Sequence, residues 1–369
     1  VLSLLLALAT SGASVARADG PLSFVGNVPL NAKAHGVALQ GNLAYVATEK
    51  GLTILDIADP ARPFIVGVLQ PRPPLFPSTL LKSQAIAVAG DYAYLAAANL
   101  IVVDVRNPAA PVPVGKRAVP GGLWDVAVKD DVVYGASLGG ELYVLNVANK
   151  GNPVVARVIG LPAWAHPAHD AYFLDRLRTG VTAGNAKVTG VSLAGDGLFA
   201  VDWAYGRLYY YDITDRLRPT FVATHYAPYL IKAYADRDPD LPGARVYMLT
   251  AFGAVSGLRS VPVSVLEQVE SSRYTACASC GYLKSRFAID QGDLAVTDNG
   301  YVVYAGGKGA GEFHIVDTAP AMQAVASDDI GLHGVGMAHG IGLRIRGDYV
   351  LQAAGVLGLQ VYRFAGLSQ

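Results

Sequence analysis

The side chains of this chain that could do chemistry are few, and they are spread along its whole length. His35 and His339 occupy matching tripeptides, Ala34-His35-Gly36 and Ala338-His339-Gly340. An imidazole titrates near neutrality and ligates metals, so the two together could hold an ion or move a proton. Asp125 and Asp293 begin similar apolar runs and could add carboxylates, the makings of metal-assisted hydrolysis or isomerisation. Water and strand-end backbone are the ordinary competing partners for such groups. His166-Pro167-Ala168-His169-Asp170 carries two more histidines. Residues three apart can share a helical face, but Pro167 puts the first ahead of any helix, so capping or solvation competes with metal binding.

Cys277-Ala278-Ser279-Cys280 is the one cysteine pair. A lone CxxC supplies two of the usual four zinc ligands, and Gly281 stands where covalent haem attachment needs His. In an oxidising compartment a local disulfide between Cys277 and Cys280 is the preferred reading. The sequence has no G-x-S-x-G, H-E-x-x-H or P-loop motif. Gly306-Gly307-Lys308-Gly309-Ala310-Gly311 precedes no clear helix and reads as a hairpin between strands, not as a phosphate cradle.

What must position these groups is a repeat. LTILD ends at Asp56, LIVVD at Asp104, LYVLN at Asn146, LYYYD at Asp212, FHIVD at Asp317 and LQVYR at Arg363. The step from 212 to 317 spans two units, and Ala244 to Leu249 with Leu258 to Val261 supplies strands for the degenerate copy between. Each unit holds four short runs rich in Val, Ile, Leu and Tyr, the length and composition of strands. Gln40-Gly41-Asn42 marks the first hairpin, with copies at Ala89-Gly90-Asp91, Lys129-Asp130-Asp131 and Ala194-Gly195-Asp196. Asp56 to Pro60 and Asp104 to Pro108 mark a turn in which the carboxylate accepts backbone N–H groups. Four antiparallel strands per unit make a propeller blade, so the expected fold is all-β, a seven-bladed β-propeller. The last copy stops after its third strand, and Pro21-Leu22-Ser23-Phe24-Val25-Gly26 resembles the outer run Pro63-Phe64-Ile65-Val66-Gly67. The N-terminal strand is therefore expected to complete the last blade and close the ring. Tyr45, Tyr94, Tyr134 and Tyr304 are expected at similar positions in the blade core.

The pentapeptide with its trailing Asp-Pro or Asn-Pro resembles the LVIVD-repeat family over nearly all of residues 21–369. The resemblance implies a β-propeller on an exported or cell-surface bacterial or archaeal protein. It implies no established reaction and carries over no catalytic residue. The fifth blade and the seventh, where Arg363 replaces the Asp, depart most from the pattern.

Residues 1–18 are expected to be an export signal lacking its start, with an apolar run and then Ala16-Arg17-Ala18 ahead of Asp19, and residues 19–369 the propeller. The mature protein is then expected in the periplasm or outside the cell. No later segment approaches the roughly 20 apolar residues that span a bilayer. Lys plus Arg and Asp plus Glu number 29 each, which argues against a nucleic-acid partner. A monomer is expected, with no cofactor beyond a metal ion at His35 and His339.

Antiparallel order places blade-to-blade connections and 2-to-3 loops on one face, and 1-to-2 and 3-to-4 turns on the other. The insertions at 71–81, 162–188 and 270–291 are expected in blade-to-blade connections, which makes that face the binding face. His35 and His339 are expected at its channel mouth, with Asp125 and Asp293 entering similarly, and His166, His169 and the Cys277 loop around the rim. The function expected is non-enzymatic binding of a protein, glycan or small ligand, with the metal-assisted enzyme as the alternative.

Overall fold

The hydrogen-bonded ladders arrange the described strands in seven sheets of four, each antiparallel. The structure, a computed structural model, describes residues 22–71, 83–137, 139–161, 188–204, 206–227, 229–250, 257–266, 281–284, 292–297, 300–306, 311–318, 323–330 and 342–365. From the inner to the outer strand, blade 1 is Ala34–Gln40, Leu43–Thr48, Gly51–Asp56 and Phe64–Val68. Blade 2 is Ala85–Ala89, Tyr92–Ala96, Asn99–Asp104 and Val112–Ala118. Blade 3 is Leu123–Lys129, Val132–Ser137, Glu141–Asn146 and Val154–Gly160. Blade 4 is Val188–Ala194, Gly197–Asp202, Arg207–Asp212 and Thr220–Tyr226. Blade 5 is Leu230–Ala235, Arg245–Thr250, Gly257–Pro262 and Gly281–Lys284. Blade 6 is Gly292–Val296, Tyr301–Gly306, Gly311–Asp317 and Gln323–Ile330. Blade 7 is Leu343–Arg346, Tyr349–Ala353 and Leu359–Phe364, with Leu22–Val28 as its outer strand.

The ring closes as expected, because Ser23 pairs with Arg363 and Val28 with Leu359 across the chain ends. Blade 1 meets blade 7 directly, through Gly342 N–H to the His35 carbonyl at 2.7 Å and Ala34 N–H to the Gly355 carbonyl at 2.9 Å. The repeating pentapeptide is a third strand with both faces packed against neighbouring blades. That is why it reads as a continuous apolar run, with Leu52, Thr53, Ile54 and Leu55 all buried. Outer strands form the rim, so Phe64, Ile65, Val154 and Val158 are exposed there.

The turn chemistry follows the sequence closely. Asp56 accepts the Ala58 N–H at 2.7 Å, Asp104 the Arg106 N–H at 3.1 Å, Asn146 the Ala148 N–H at 2.9 Å and Asp212 the Thr214 N–H at 2.7 Å. Arg363 does hold the register of the missing Asp, since Phe364 N–H bonds the Asp348 carbonyl just as Ile57 N–H bonds that of Asn42. Gly41, Gly90 and Gly195 turn the 1-to-2 hairpins at φ of 58°, 57° and 53°, and Asp130 takes φ 52° in their place. On this face the last inner-strand side chain reaches the turn glycine of the next blade. Gln40 donates to the Gly90 carbonyl, Lys129 to that of Gly195, and Arg346 of blade 7 to that of Gly41.

Two glycines separate conformational from steric cost. A Cβ on Gly41 meets nothing within 4 Å, so Gly41→Ala costs only the left-handed backbone penalty, about 1 kcal/mol. A Cβ on Gly67 would lie 2.1 Å from the Pro108 carbonyl oxygen of the next blade, so Gly67→Ala is expected to cost more, about 2–3 kcal/mol. Denaturant midpoints of the two variants check the order, and a larger loss for Gly41→Ala would contradict it.

Two expectations need correction. Tyr45, Tyr94 and Tyr134 stand opposite Ala38, Ala87 and Ala127, where the small partner makes room for the ring. Tyr304 instead faces Leu294, on the other side of its sheet. It lies three residues past Tyr301, the partner of Asp317, whereas Tyr45 lies two past Leu43, the partner of Asp56, and an odd step along a strand turns the side chain to the other face. The 270–291 insertion is not one blade-to-blade connection, because it contains the outer strand Gly281–Lys284 of blade 5. Cys277 and Cys280 lie outside the described residues, between the third and fourth strands of that blade.

Candidate functional site

Inner strands of blades 1, 3, 4 and 5 share a bulge at their start, between Ala34 and Gly36, Leu123 and Asp125, Val188 and Gly190, and Leu230 and Lys232. The extra residue is His35, Trp124, Thr189 or Ile231. Bulges re-aim side chains at sheet ends, and here they recur where each strand leaves the loop-rich face. His35 is therefore a bulge residue, and it is buried. His339, His166 and His169 lie outside the described residues.

The register position after the bulge is the informative one. Asp125 pairs across to Ala136 in blade 3 and Asp293 to Ala305 in blade 6, so the two carboxylates are equivalent, as the sequence suggests. The same position is Gly36 in blade 1, Gly190 in blade 4 and Lys232 in blade 5. Asp125 Oδ1 accepts the Val126 N–H at 3.0 Å. Its Oδ2 accepts the Val191 N–H of blade 4 at 3.0 Å and the Lys232 ammonium of blade 5 at 2.6 Å. Lys232 can pass blade 4 because Gly190 has no side chain; a Cβ there would stand 3.4 Å from Lys232 Cδ. Asp293 Oδ2 repeats the pattern one blade on, accepting the Leu343 N–H of blade 7 at 2.9 Å and Arg344 Nη1 at 3.2 Å. Asp293 Oδ1 is buried and accepts no hydrogen bond.

Arg344 then crosses back over the Tyr234 ring of blade 5, 5.8 Å from its centroid. Contacts between blades two apart in the ring must pass on the channel side of the blade between them, so these five groups form one cluster lining the central channel. Two carboxylates and two cations make it neutral. Burial works against the Lys232 ammonium, but attraction to Asp125, then to Tyr234 and Asp293, outweighs it and raises the pKa above the usual lysine value. Arg344 is opposed by burial in the same way and held cationic by Tyr234, Asp293 and Asp125. Burial raises the Tyr234 phenol, so it stays neutral at physiological pH.

Lys232, Tyr234 and Arg344 escaped the sequence reading, although a signal was there. When the inner strands are aligned blade by blade, charged side chains stand at positions that other blades fill with Gly, Ala or Ser. The structure brings Asp125 and Asp293 into this cluster. Among the described residues, no three His, Cys, Asp or Glu side chains converge as a metal site would need. No helix among them is long and apolar enough to cross a membrane.

Comparison with solved structures shows the fold. A computationally designed protein, Ika8, superposes at a TM-score of 0.55 with 10% identity, over 92% of this chain and 99% of its own. A protein from Bacteroides uniformis named as a candidate 6-phosphogluconolactonase reaches 0.62 with 13% identity, over 87% of this chain and 88% of its own. A counterpart from Bacteroides fragilis, given the same name, reaches 0.60 with 12% identity, over 86% of each chain. No curated protein matches the chain. The LVIVD repeat family matches residues 32–70 and 82–117, which hold blade 1 and most of blade 2. With those two repeats, the related pentapeptides that follow and the closed ring of seven blades, this chain is a β-propeller that carries LVIVD repeats.

Proposed function

We propose that this propeller is an exported, non-enzymatic binding protein that takes a protein, glycan or small envelope ligand on its blade-to-blade face. The observation that carries the reading is the state of the carboxylates. Both oxygens of Asp125 are occupied by backbone N–H groups and Lys232, and Asp293 Oδ2 by Leu343 and Arg344. A general base or metal ligand needs lone pairs free for substrate or ion, and here one buried oxygen is left. Hydrolysis or isomerisation through Asp125 and Asp293 is accordingly the weaker reading, and a metal at His35 and His339 would have to find its further ligands elsewhere. Connection lengths support binding as well. The 1-to-2 hairpin of blade 1 joins Gln40 to Leu43 directly through its turn, whereas the blade-to-blade connection after Gly160 runs to Val188. Export rests on the N-terminal apolar run and its small-x-small end.

The test replaces residues 162–187 with a short Gly-Ser linker and screens both proteins against soluble envelope glycans and peptides by thermal shift. The parent is expected to be stabilised by a ligand that leaves the shortened variant unmoved, with both retaining the same unliganded melting point. A ligand that binds both equally, or turnover of a screened ester or lactone by the parent, would overturn the reading.

A further inference from the structure

We propose that the central channel holds a binding site for a small oxyanion, a carboxylate or phosphate group, between Lys232, Arg344 and Tyr234. The site stands apart from the loop-face reading and does not depend on it.

Donor arithmetic makes the argument. An ammonium carries three N–H donors and a guanidinium five. Asp125 is the acceptor on Lys232, and Arg344 spends its Nη1 on Asp293 and on its neighbour's carbonyl at Leu343, with a further bond to Tyr234. Both Asp125 oxygens already accept hydrogen bonds, three in all, and Asp293 Oδ1 is buried. What the channel offers is therefore a surplus of N–H groups and a phenolic O–H. These donors are reachable, because the Lys232 side chain is 17% exposed and that of Arg344 32%, whereas those of Asp125 and Asp293 are only 9% and 5% exposed. Solvent therefore meets the cations more than their counter-ions. An anion there gains charge-assisted hydrogen bonds from groups already oriented by their carboxylate partners, in surroundings less polar than water.

A second observation lies just upstream of Lys232. Tyr229, where the chain turns into blade 5, adopts φ 59°, a left-handed conformation that bulky residues avoid. Strain of this kind persists where the surrounding structure holds a segment in a required position, and here it feeds Lys232 and Tyr234 into the channel.

The experiment is calorimetric titration of the full chain with inorganic phosphate and, separately, with acetate. Saturable binding of one or both is expected, with the stronger ligand identifying the group the channel prefers. Arg344→Gln should weaken it about tenfold or more, the worth of one charge-assisted hydrogen bond. Should that variant fail to fold, Arg344→Lys keeps Asp293 paired but loses the planar fork, and should weaken binding severalfold. Arg363→Gln, an exposed rim cation, should bind as the parent does. Absence of saturable binding by the parent, undiminished binding by the folded Arg344 variants, or an equal loss in Arg363→Gln would each overturn the site.

Discussion

Removing Leu22–Val28 is expected to lower the melting temperature sharply and to make the protein associate. The strand contributes a complete ladder to blade 7. It also packs Val25 and Val28 against the core shared by blades 7 and 1, and sets Phe24 at 5.4 Å from the Tyr362 ring. Half-burying these side chains is worth about 3 kcal/mol in total, a large part of a typical domain's stability. Loss of the strand also leaves Leu359–Phe364 as an open edge, with unpaired N–H and C=O groups available to a second copy. Thermal unfolding and size-exclusion chromatography of the deletion variant check both effects. An unchanged melting point with a clean monomer would mean that the ring does not depend on this closure.

Breaking the Asp125–Lys232 pair is expected to cost about 3 kcal/mol, because either single change strands a charge that folding has taken out of water. Asp125→Leu should cost more than Lys232→Met, since Asp125 also satisfies the Val126 and Val191 N–H groups at the start of two blades. Combining the two changes should recover part of the loss, as an apolar pair replaces an isolated ion. The folded-state pKa of Lys232 is raised. Its contribution is therefore fully present below the ordinary lysine value of about 10.4 and is lost as pH climbs through the folded value. Urea denaturation of the parent, both single variants and the double variant at neutral pH reads out the cycle. Strictly additive losses would show that the two side chains act independently, which their 2.6 Å contact rules against.

The architecture was legible in the sequence, since a propeller is a local code repeated. Apolar runs of strand length, glycines at positive φ and Asp side chains that cap their own turns are decided within a few residues. That is why blade number, hairpin positions and the closing strand could be read directly. Even the degenerate fifth blade was legible in its second and third strands. Its fourth was not, because Gly281–Lys284 is too short to stand out inside a long insertion. Tyr304 was misplaced for another reason: one step along a strand leaves composition unchanged but reverses which neighbour the side chain meets.

The roles of the polar residues were not legible, because they rest on contacts between blades. Asp125 and Asp293 could be placed at equivalent strand positions from sequence. Their partners, Lys232 and Arg344, lie 107 and 51 residues away and arrive from other blades. No short-range rule links such residues, because contact between blades of a ring depends on the order in which blades close and on gaps left by glycines such as Gly190. Ring closure turned two carboxylates that looked like catalytic candidates into counter-ions, and left the accessible chemistry of the channel to the cations they hold.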